Sequence, residues 1–402
     1  MTKPTLNRVV GVLWTGFLAT VAISVQAEQG IQAGPLTLSP FAGLTATYDS
    51  NVGRASNNEQ DDTFLESSLG LKLDARIQEL AFNGLGFVVN RSYADNDQLD
   101  FWAWGEALKL KYGSTSRISL EAQQSFRRVE DLDTFGSEAE IGGMSPDAFL
   151  DADVRSRREL LEAGAVLEAH LTDKTDISAG YRYNETDYQS DSLFDLSGHG
   201  TQIEAAHRIT DKSAALLSAQ GGLQSSEFVS GDAQYAALRV GMRTWGTDRL
   251  SVRAGAGYQQ LDRPEDGGTD EGFNYDATAQ WTITDKTRLE LEGRNGMQLS
   301  SIHRANAVEY SVVRLGLAYR MSSSLALGAS TVYRIDDYKD PVASGSEMVD
   351  RKDEGATIKL RADYLLPAKY ARLFAEAVYE TVDSNIRDYD VTRANLGIAI
   401  QL

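Results

Sequence analysis

Cysteine is absent from the 402 residues, and only 4 histidines and 7 prolines occur. Without thiols there is no disulfide framework and no thiolate metal site; the absence is compatible with an oxidising envelope compartment and decides little alone. The histidines, at 170, 199, 207 and 303, fall on different segments with no metal-ligand spacing, so no metal is expected. Nucleophile motifs, glycine-rich phosphate loops and HExxH are also missing, so neither enzyme chemistry nor a cofactor is expected. The enzymatic alternative left open is a Ser, His and Asp set assembled from separate segments. Positive charge is scarce: 39 Lys+Arg stand against 58 Asp+Glu, for a formal charge of −19. A chain this acidic is not expected to bind nucleic acid. Beyond residue 25 no segment approaches the eighteen or so apolar residues of a membrane helix. Mean hydropathy is low, which does not exclude a membrane β-barrel, whose signal per strand is weak.

The one long apolar run is Val9–Val25, preceded by Lys3 and Arg8 and followed by Gln26-Ala27-Glu28. A basic start, an apolar stretch and small residues at Val25 and Ala27 describe a secretory signal peptide over 1–27, cleaved after Ala27. A retained membrane anchor is the other reading. Removing the two positive charges takes the remainder from −19 to −21.

The rest is organised by a hairpin unit. In 161–171, Leu161, Ala163, Ala165, Leu167, Ala169 and Leu171 alternate with Glu162, Gly164, Val166, Glu168 and His170. After Thr172-Asp173-Lys174-Thr175, Ile177, Ala179, Tyr181 and Tyr183 alternate with Ser178, Gly180, Arg182 and Asn184. Period-two alternation on both sides of a polar break predicts two antiparallel strands and a tight turn. The turn recurs at Thr210, Thr247, Thr284 and Ser322, at spacings of 38, 37, 37 and 38 residues. Each period holds two strands of about ten residues, a short turn and a longer polar loop, the asymmetry of an outer-membrane barrel.

Eighteen strands are predicted: 40–49, 63–75, 80–91, 99–112, 116–127, 157–171, 175–186, 200–210, 214–224, 233–244, 249–260, 273–283, 288–298, 308–321, 325–336, 356–366, 372–382 and 389–402. The expected fold is all-β, a transmembrane antiparallel up-and-down barrel over 40–402 behind a periplasmic lead at 28–39, with sixteen strands the alternative count. Short turns would be periplasmic, and long loops near 50–62, 128–156, 261–272, 299–307 and 337–355 would face outside. Ile118 and Leu120, Val252 and Ala254, Ile358 and Leu360 lie on the expected lipid face. Tyr112, Trp281, Tyr319 and Tyr364 lie near the turns and Tyr183, Tyr258, Phe273 and Tyr275 near the loops, giving two aromatic belts. A soluble sandwich would not carry a charged face on strand after strand, because its inner faces must be dry.

Two short stretches carry resemblances. Asn395-Leu396-Gly397-Ile398-Ala399-Ile400-Gln401-Leu402 resembles the C-terminal signal by which outer-membrane barrels are recognised for insertion, with Asn395, Gly397, Ile400 and Leu402 at the matching positions and leucine where phenylalanine is commoner. It implies the barrel assembly machinery as a partner. Tyr48-Asp49-Ser50-Asn51-Val52 resembles the first-strand signature of the outer-membrane β-barrel porins encoded with bacterial exopolysaccharide and capsule systems, through Tyr48, Asp49, Asn51 and Val52. Asp-Ser-Asn is also simply a turn former. The resemblance implies a barrel taking part in export of a surface polysaccharide, with that polysaccharide and a periplasmic export protein as partners besides the outer-membrane lipid.

Strand parity points Arg182, Arg239, Arg243, Arg294, Arg334, Arg361, Glu204 and Glu292 into the lumen, with Arg208 and Arg253 among others. These are the candidate selectivity residues. Either they pair across strands and hold the wall together, or they form an arginine-bearing channel below acidic loops that screens what passes. The loop Arg128–Ser156, rich in acids but holding Leu132, Phe135, Ile141, Met144, Phe149 and Leu150, either folds into the lumen or stays outside. The expected function is a conduit in the bacterial outer membrane that takes part in polysaccharide export; the alternatives are a general or sugar diffusion porin and a non-conducting surface barrel that binds cations or a partner.

Overall fold

The computed structural model describes residues 30–113, 117–129, 157–189, 193–226, 231–247, 249–263, 268–300, 307–344, 347–367, 370–386 and 388–401. The expected signal peptide, nearly all of the loop Arg128–Ser156, and Leu402 lie outside them.

Eighteen long strands form one sheet: β1 (Leu36–Asp49), β2 (Asp62–Ile77), β3 (Leu80–Tyr93), β4 (Phe101–Tyr112), β5 (Ile118–Val129), β6 (Arg158–Thr172), β7 (Thr175–Tyr188), β8 (Leu196–Thr210), β9 (Ser213–Ser226), β10 (Ala233–Thr247), β11 (Leu250–Arg263), β12 (Gly268–Thr284), β13 (Thr287–Leu299), β14 (Ala307–Arg320), β15 (Leu325–Tyr338), β16 (Lys352–Leu365), β17 (Ala371–Ser384) and β18 (Tyr389–Gln401). Each pairs antiparallel with its chain neighbours, and β1 pairs with β18 from Phe41 opposite Gln401 to Asp49 opposite Arg393. The sheet is therefore closed. Closure matters because a lipid-exposed edge would leave backbone N–H and C=O groups without partners. Ile31–Ala33 folds back on the start of β1, so the barrel begins at Leu36 rather than Pro40. A small hairpin, Val342–Ser344 with Glu347–Val349, decorates the β15–β16 loop.

The recurring turn has a physical cause. Lys174 N donates to Thr172 Oγ1, Lys212 N to Thr210 Oγ1, Arg249 N to Thr247 Oγ1, Lys286 N to Thr284 Oγ1 and Ser324 N to Ser322 Oγ, each at 3.2 Å. A hydroxyl that captures the N–H two residues on reverses the chain locally, so Thr or Ser opens each turn.

Large apolar side chains stand on the outer face: Leu120, Ile203, Leu238, Leu315 and Leu360 are all exposed in the isolated molecule. Tyr112, Trp281, Tyr319 and Tyr364 sit on that face toward the turns, Tyr258 and Phe273 toward the loops. Leu315 lies midway between such belts on β14. Leu315→Arg is expected to destabilise the barrel by about 2–4 kcal/mol, against about 0–1 kcal/mol for Tyr319→Arg at the interface. Denaturant titration in lipid vesicles measures both; equal effects would contradict hydrocarbon at Leu315.

The strands run further toward the loops than expected: β8 starts at Leu196 rather than 200, β12 at Gly268 rather than 273, and β16 at Lys352 rather than 356. One ladder stops early. β12 and β13 pair from the turn only up to Asp276 opposite Arg294. Above that, β12 stays with β11 up to Gly268 opposite Arg263, while β13 stays with β14 up to Leu299 opposite Ala307. The Asn295 amide stands in for the missing partner at the fork, donating to Phe273 O at 2.6 Å and accepting from Tyr275 N at 2.6 Å. The fork opens at the level of the exposed Phe273, where the loop-side aromatic belt ends the hydrocarbon and polar backbone groups can be satisfied by other means.

Candidate functional site

Because alternate residues face inward, the lumen wall is built from the polar half of each strand. The structure brings a carboxylate to five of the six arginines singled out from sequence: Arg182 to Glu162 at 3.8 Å, Arg239 to Asp276 at 3.3 Å, Arg294 to Glu292 at 3.9 Å, Arg334 to Asp336 at 2.7 Å and Arg361 to Asp363 at 3.0 Å. Glu204 and Glu292 serve as such partners, Glu204 accepting from Arg253 at 3.0 Å and Glu292 facing Arg314 at 3.6 Å. Glu204 lies on β8 and Arg253 on β11, so this pair reaches over two intervening strands and narrows the lumen. Pairing describes most of the lumen charge. An arginine bound to a carboxylate in a dry wall is expensive to expose, because removing either partner leaves an uncompensated buried ion.

Arg243 is the exception. Among the described residues it has no carboxylate at ion-pair distance, and its Nε is shielded from solvent with no hydrogen-bond partner. Its guanidinium instead stacks on Trp245, 4.7 Å from the ring centroid.

The lumen is not polar throughout. On β3 and β4 the inward Leu85, Phe87, Val89, Phe101 and Ala103 form an apolar cluster with Val129, beside the inward Arg91 that pairs with Glu66 at 2.9 Å. A second cluster follows from the fork. Met297 and Leu299 of β13 and Ala307 of β14 are buried against Leu196, Ala233, Tyr235, Ala237 and Leu261, which point inward from β8, β10 and β11. Leu299 N donates to Gln224 Oε1 of β9 at 2.9 Å. The loop-side half of the β13–β14 hairpin thus lies across the inner surface of β8–β11. The flanks of the segment near 299–307 are inside the barrel, not outside as expected.

The motif residues meet at the seam between β1 and β18. Asp49 Oδ1 accepts from Asn51 N at 2.9 Å, and Asp49 faces Arg393 at 3.8 Å. Asn51 is fully buried; its Nδ2 donates to Ala55 O at 2.8 Å and to Asp390 O at 3.2 Å, and its Oδ1 accepts from Ala55 N at 2.9 Å. Val52 packs with Phe64 and Tyr93, and Tyr48 points outward. Glu380 of β17 completes the cluster, 2.7 Å from Arg393 and 3.6 Å from Arg54, and accepts from Tyr389 Oη at 3.1 Å.

The C-terminal stretch lies just below. Asn395 Nδ2 donates to Glu376 at 2.9 Å, Ile400 is exposed on the outer face, and Gly397 faces inward. A Cβ at Gly397 would collide with the Phe374 ring, which carries Arg361 at 4.4 Å from its centroid. Sequence reasoning missed Glu380, Asn295 and Trp245. Trp245 alone left a signal, an aromatic two residues after an inward arginine.

Residues 224–402, which include all of β10–β18, match the family model described as "Putative beta-barrel porin 2". Among solved structures the chain is similar to OpdL of Pseudomonas aeruginosa, at 13% identity and TM-score 0.47 over 92% of this chain and 99% of that one. It is similar to OpdQ of the same organism at 10% identity and TM-score 0.47, over 92% and 100% of the two chains. OccAB4 of Acinetobacter baumannii matches at 11% identity and TM-score 0.45, over 91% and 98%. No curated protein matches the sequence.

Proposed function

Taking the chain as an outer-membrane β-barrel porin, we propose that it is a selective conduit taking part in export of a surface exopolysaccharide or capsule. The observation that carries the reading is the in-folded β13–β14 hairpin, whose buried Met297 and Leu299 occupy the loop side of the lumen. A general diffusion porin works by leaving an aqueous channel, which a barrel of this strand number is wide enough to hold; a wall element packed across that space suits a conduit that opens for one cargo. The Tyr48–Val52 stretch, with its likeness to barrels encoded beside polysaccharide systems, gives that cargo its class. Its insertion would depend on the assembly machinery suggested by Asn395, Gly397 and Ile400, and a periplasmic export protein would meet it at the short turns.

A host strain lacking the chain is expected to lose surface polysaccharide and retain it in the periplasm, measured by uronic-acid and neutral-sugar assay of the two fractions. Normal display, together with slower uptake of small sugars, would overturn the export reading and favour a sugar diffusion porin. That second reading is supported by the match of residues 224–402 to a porin family model that names no cargo.

A further inference from the structure

We propose that the loop-side half of the β13–β14 hairpin is a gate with two positions, and that the free edge of β12 is the seat it takes when the passage opens. The inference rests on the proposed function only in taking the barrel as a conduit, and it does not depend on the cargo.

β12 has one empty edge. From Gly268 to Tyr275 it pairs with β11 alone among the described residues, because its ladder with β13 ends at Asp276 opposite Arg294. β13 continues past that point to Leu299, but behind β12 rather than beside it. A Cβ placed on the inward Gly272 would lie 2.8 Å from Met297 Cε and 3.4 Å from Glu309 Oε1. The edge still presents hydrogen-bonding atoms toward the place that β13 has left. Tyr275 N and Phe273 O are the two that the Asn295 side chain meets, each at 2.6 Å.

Register names the occupant of that edge. Continuing the β12–β13 ladder would set Asn295 opposite Tyr275, Met297 opposite Phe273 and Leu299 opposite Glu271. Met297 and Leu299 would then turn to the outer face beside the exposed Phe273, the parity they already carry. A slip by one residue would reverse every side chain, and none is needed. The sequence from Asn295 to Leu299 thus fits both positions. β14 stays paired with β15 as far as Val308 opposite Tyr338, so the loop-side ends of β13, β14 and β15 move together.

Different forces hold the two positions. Inside, Met297, Leu299 and Ala307 bury apolar surface against Tyr235 and Leu261 among others. In the wall, β13 would gain main-chain hydrogen bonds along β12, while Tyr235 and Leu261 would face an open lumen. An element with two discrete packings is what a switch requires. A cargo that binds the bared inner wall favours the open position.

The chain holds no cysteine, so engineered thiols report alone. Phe273→Cys with Met297→Cys, and separately Glu271→Cys with Leu299→Cys, place thiols on opposite faces of the wall in the closed position. In the open register each pair becomes cross-strand partners within disulfide reach. Thr269→Cys with Met297→Cys is the out-of-register control. Under mild oxidant each in-register pair should lose its titratable thiols, and the control should keep them. Planar-bilayer conductance of the oxidised pairs should stand several-fold above that of the same molecules after reduction. The heat-dependent gel shift checks folding, and either in-register pair suffices if the other does not fold. Failure of the folded in-register pairs to oxidise, equal oxidation of the control, or oxidation that leaves conductance at the reduced value overturns the gate. If oxidation opens the channel while the deletion strain displays its polysaccharide normally, the export reading fails and the gate stands.

Discussion

Replacing residues 297–308 by a tight Thr-Asp-Lys-Thr turn is expected to raise single-channel conductance several-fold. The segment removed carries Met297, Leu299 and Ala307, the part of the β13–β14 hairpin that packs inside β8–β11. The β12–β13 ladder would be untouched, since it already ends at Asp276 opposite Arg294. Burial of Met297 and Leu299 contributes about 1.5–3 kcal/mol each, enough together to hold the hairpin across the lumen. A gentler variant makes the same point. Leu299→Asp places a charge in a dry cluster, where its burial costs several times what the leucine contributed, so the hairpin should leave the wall. Planar-bilayer recording of folded protein reads both, with the heat-dependent gel shift as the check on folding. Conductance that stays at the parent value in both variants would mean that the hairpin is not what narrows the passage.

Glu380→Ala is expected to cost about 3–5 kcal/mol of barrel stability, the penalty for leaving buried charge without its counterion. Glu380 is 1% exposed and stands between Arg393 at 2.7 Å and Arg54 at 3.6 Å. Its loss takes the nearer carboxylate from Arg393, which still faces Asp49 at 3.8 Å, and removes the Glu380 acceptor of the Tyr389 hydroxyl. Glu380→Gln, which keeps an acceptor for Tyr389 but removes the charge, should fall between the two. Asn51→Leu attacks the same cluster from the loop that follows β1 by removing three hydrogen bonds to backbone atoms. The temperature at which unheated samples lose the folded band should drop in that order; a Glu380→Ala barrel that melts with the parent would show the seam to be held by its backbone ladder alone.

The strands were legible wherever lipid contact imposes alternation. Ile118, Leu120, Tyr319 and Leu360 all stand on the face that parity gave them, and the hydroxyl-initiated turns fall at their expected positions. The missed strand residues, such as 196–199 and 352–355, lie on the loop side, where the outer face carries Ser197, His199, Lys352 and Glu354 instead of apolar residues. There the hydrogen-bond ladder continues but hydropathy no longer alternates, so the signal stops while the structure goes on. The fork was illegible for the opposite reason. Met297 and Leu299 have the parity of lipid-facing residues and are apolar, and only the end of the β12–β13 ladder turns that face onto other strands. Among lumen residues, parity gave direction but not partners: Arg334 finds Asp336 two residues away, whereas Arg253 finds Glu204 three strands away. Gly397 was placed by resemblance alone, and its reason, the ring of Phe374, lies on the neighbouring strand.

The seam joins residues far apart along the chain, Asn51 and Asp390 being 339 positions from each other. Loop-closure entropy grows by about 0.6 kcal/mol per doubling of length, so closing this contact costs roughly 4 kcal/mol more than closing one of the four-residue turns. Neighbouring hairpins can zip up locally, each prepaid by a short turn, while the seam gains nothing until the whole sheet has curled round. The order of events during folding follows: hairpins first, cylinder last, with a high-contact-order final step that sets the rate. A seam cluster weakened at Asn51 or Glu380 should therefore slow refolding into vesicles as well as lower stability, whereas a change in any single turn should leave the refolding rate nearly untouched.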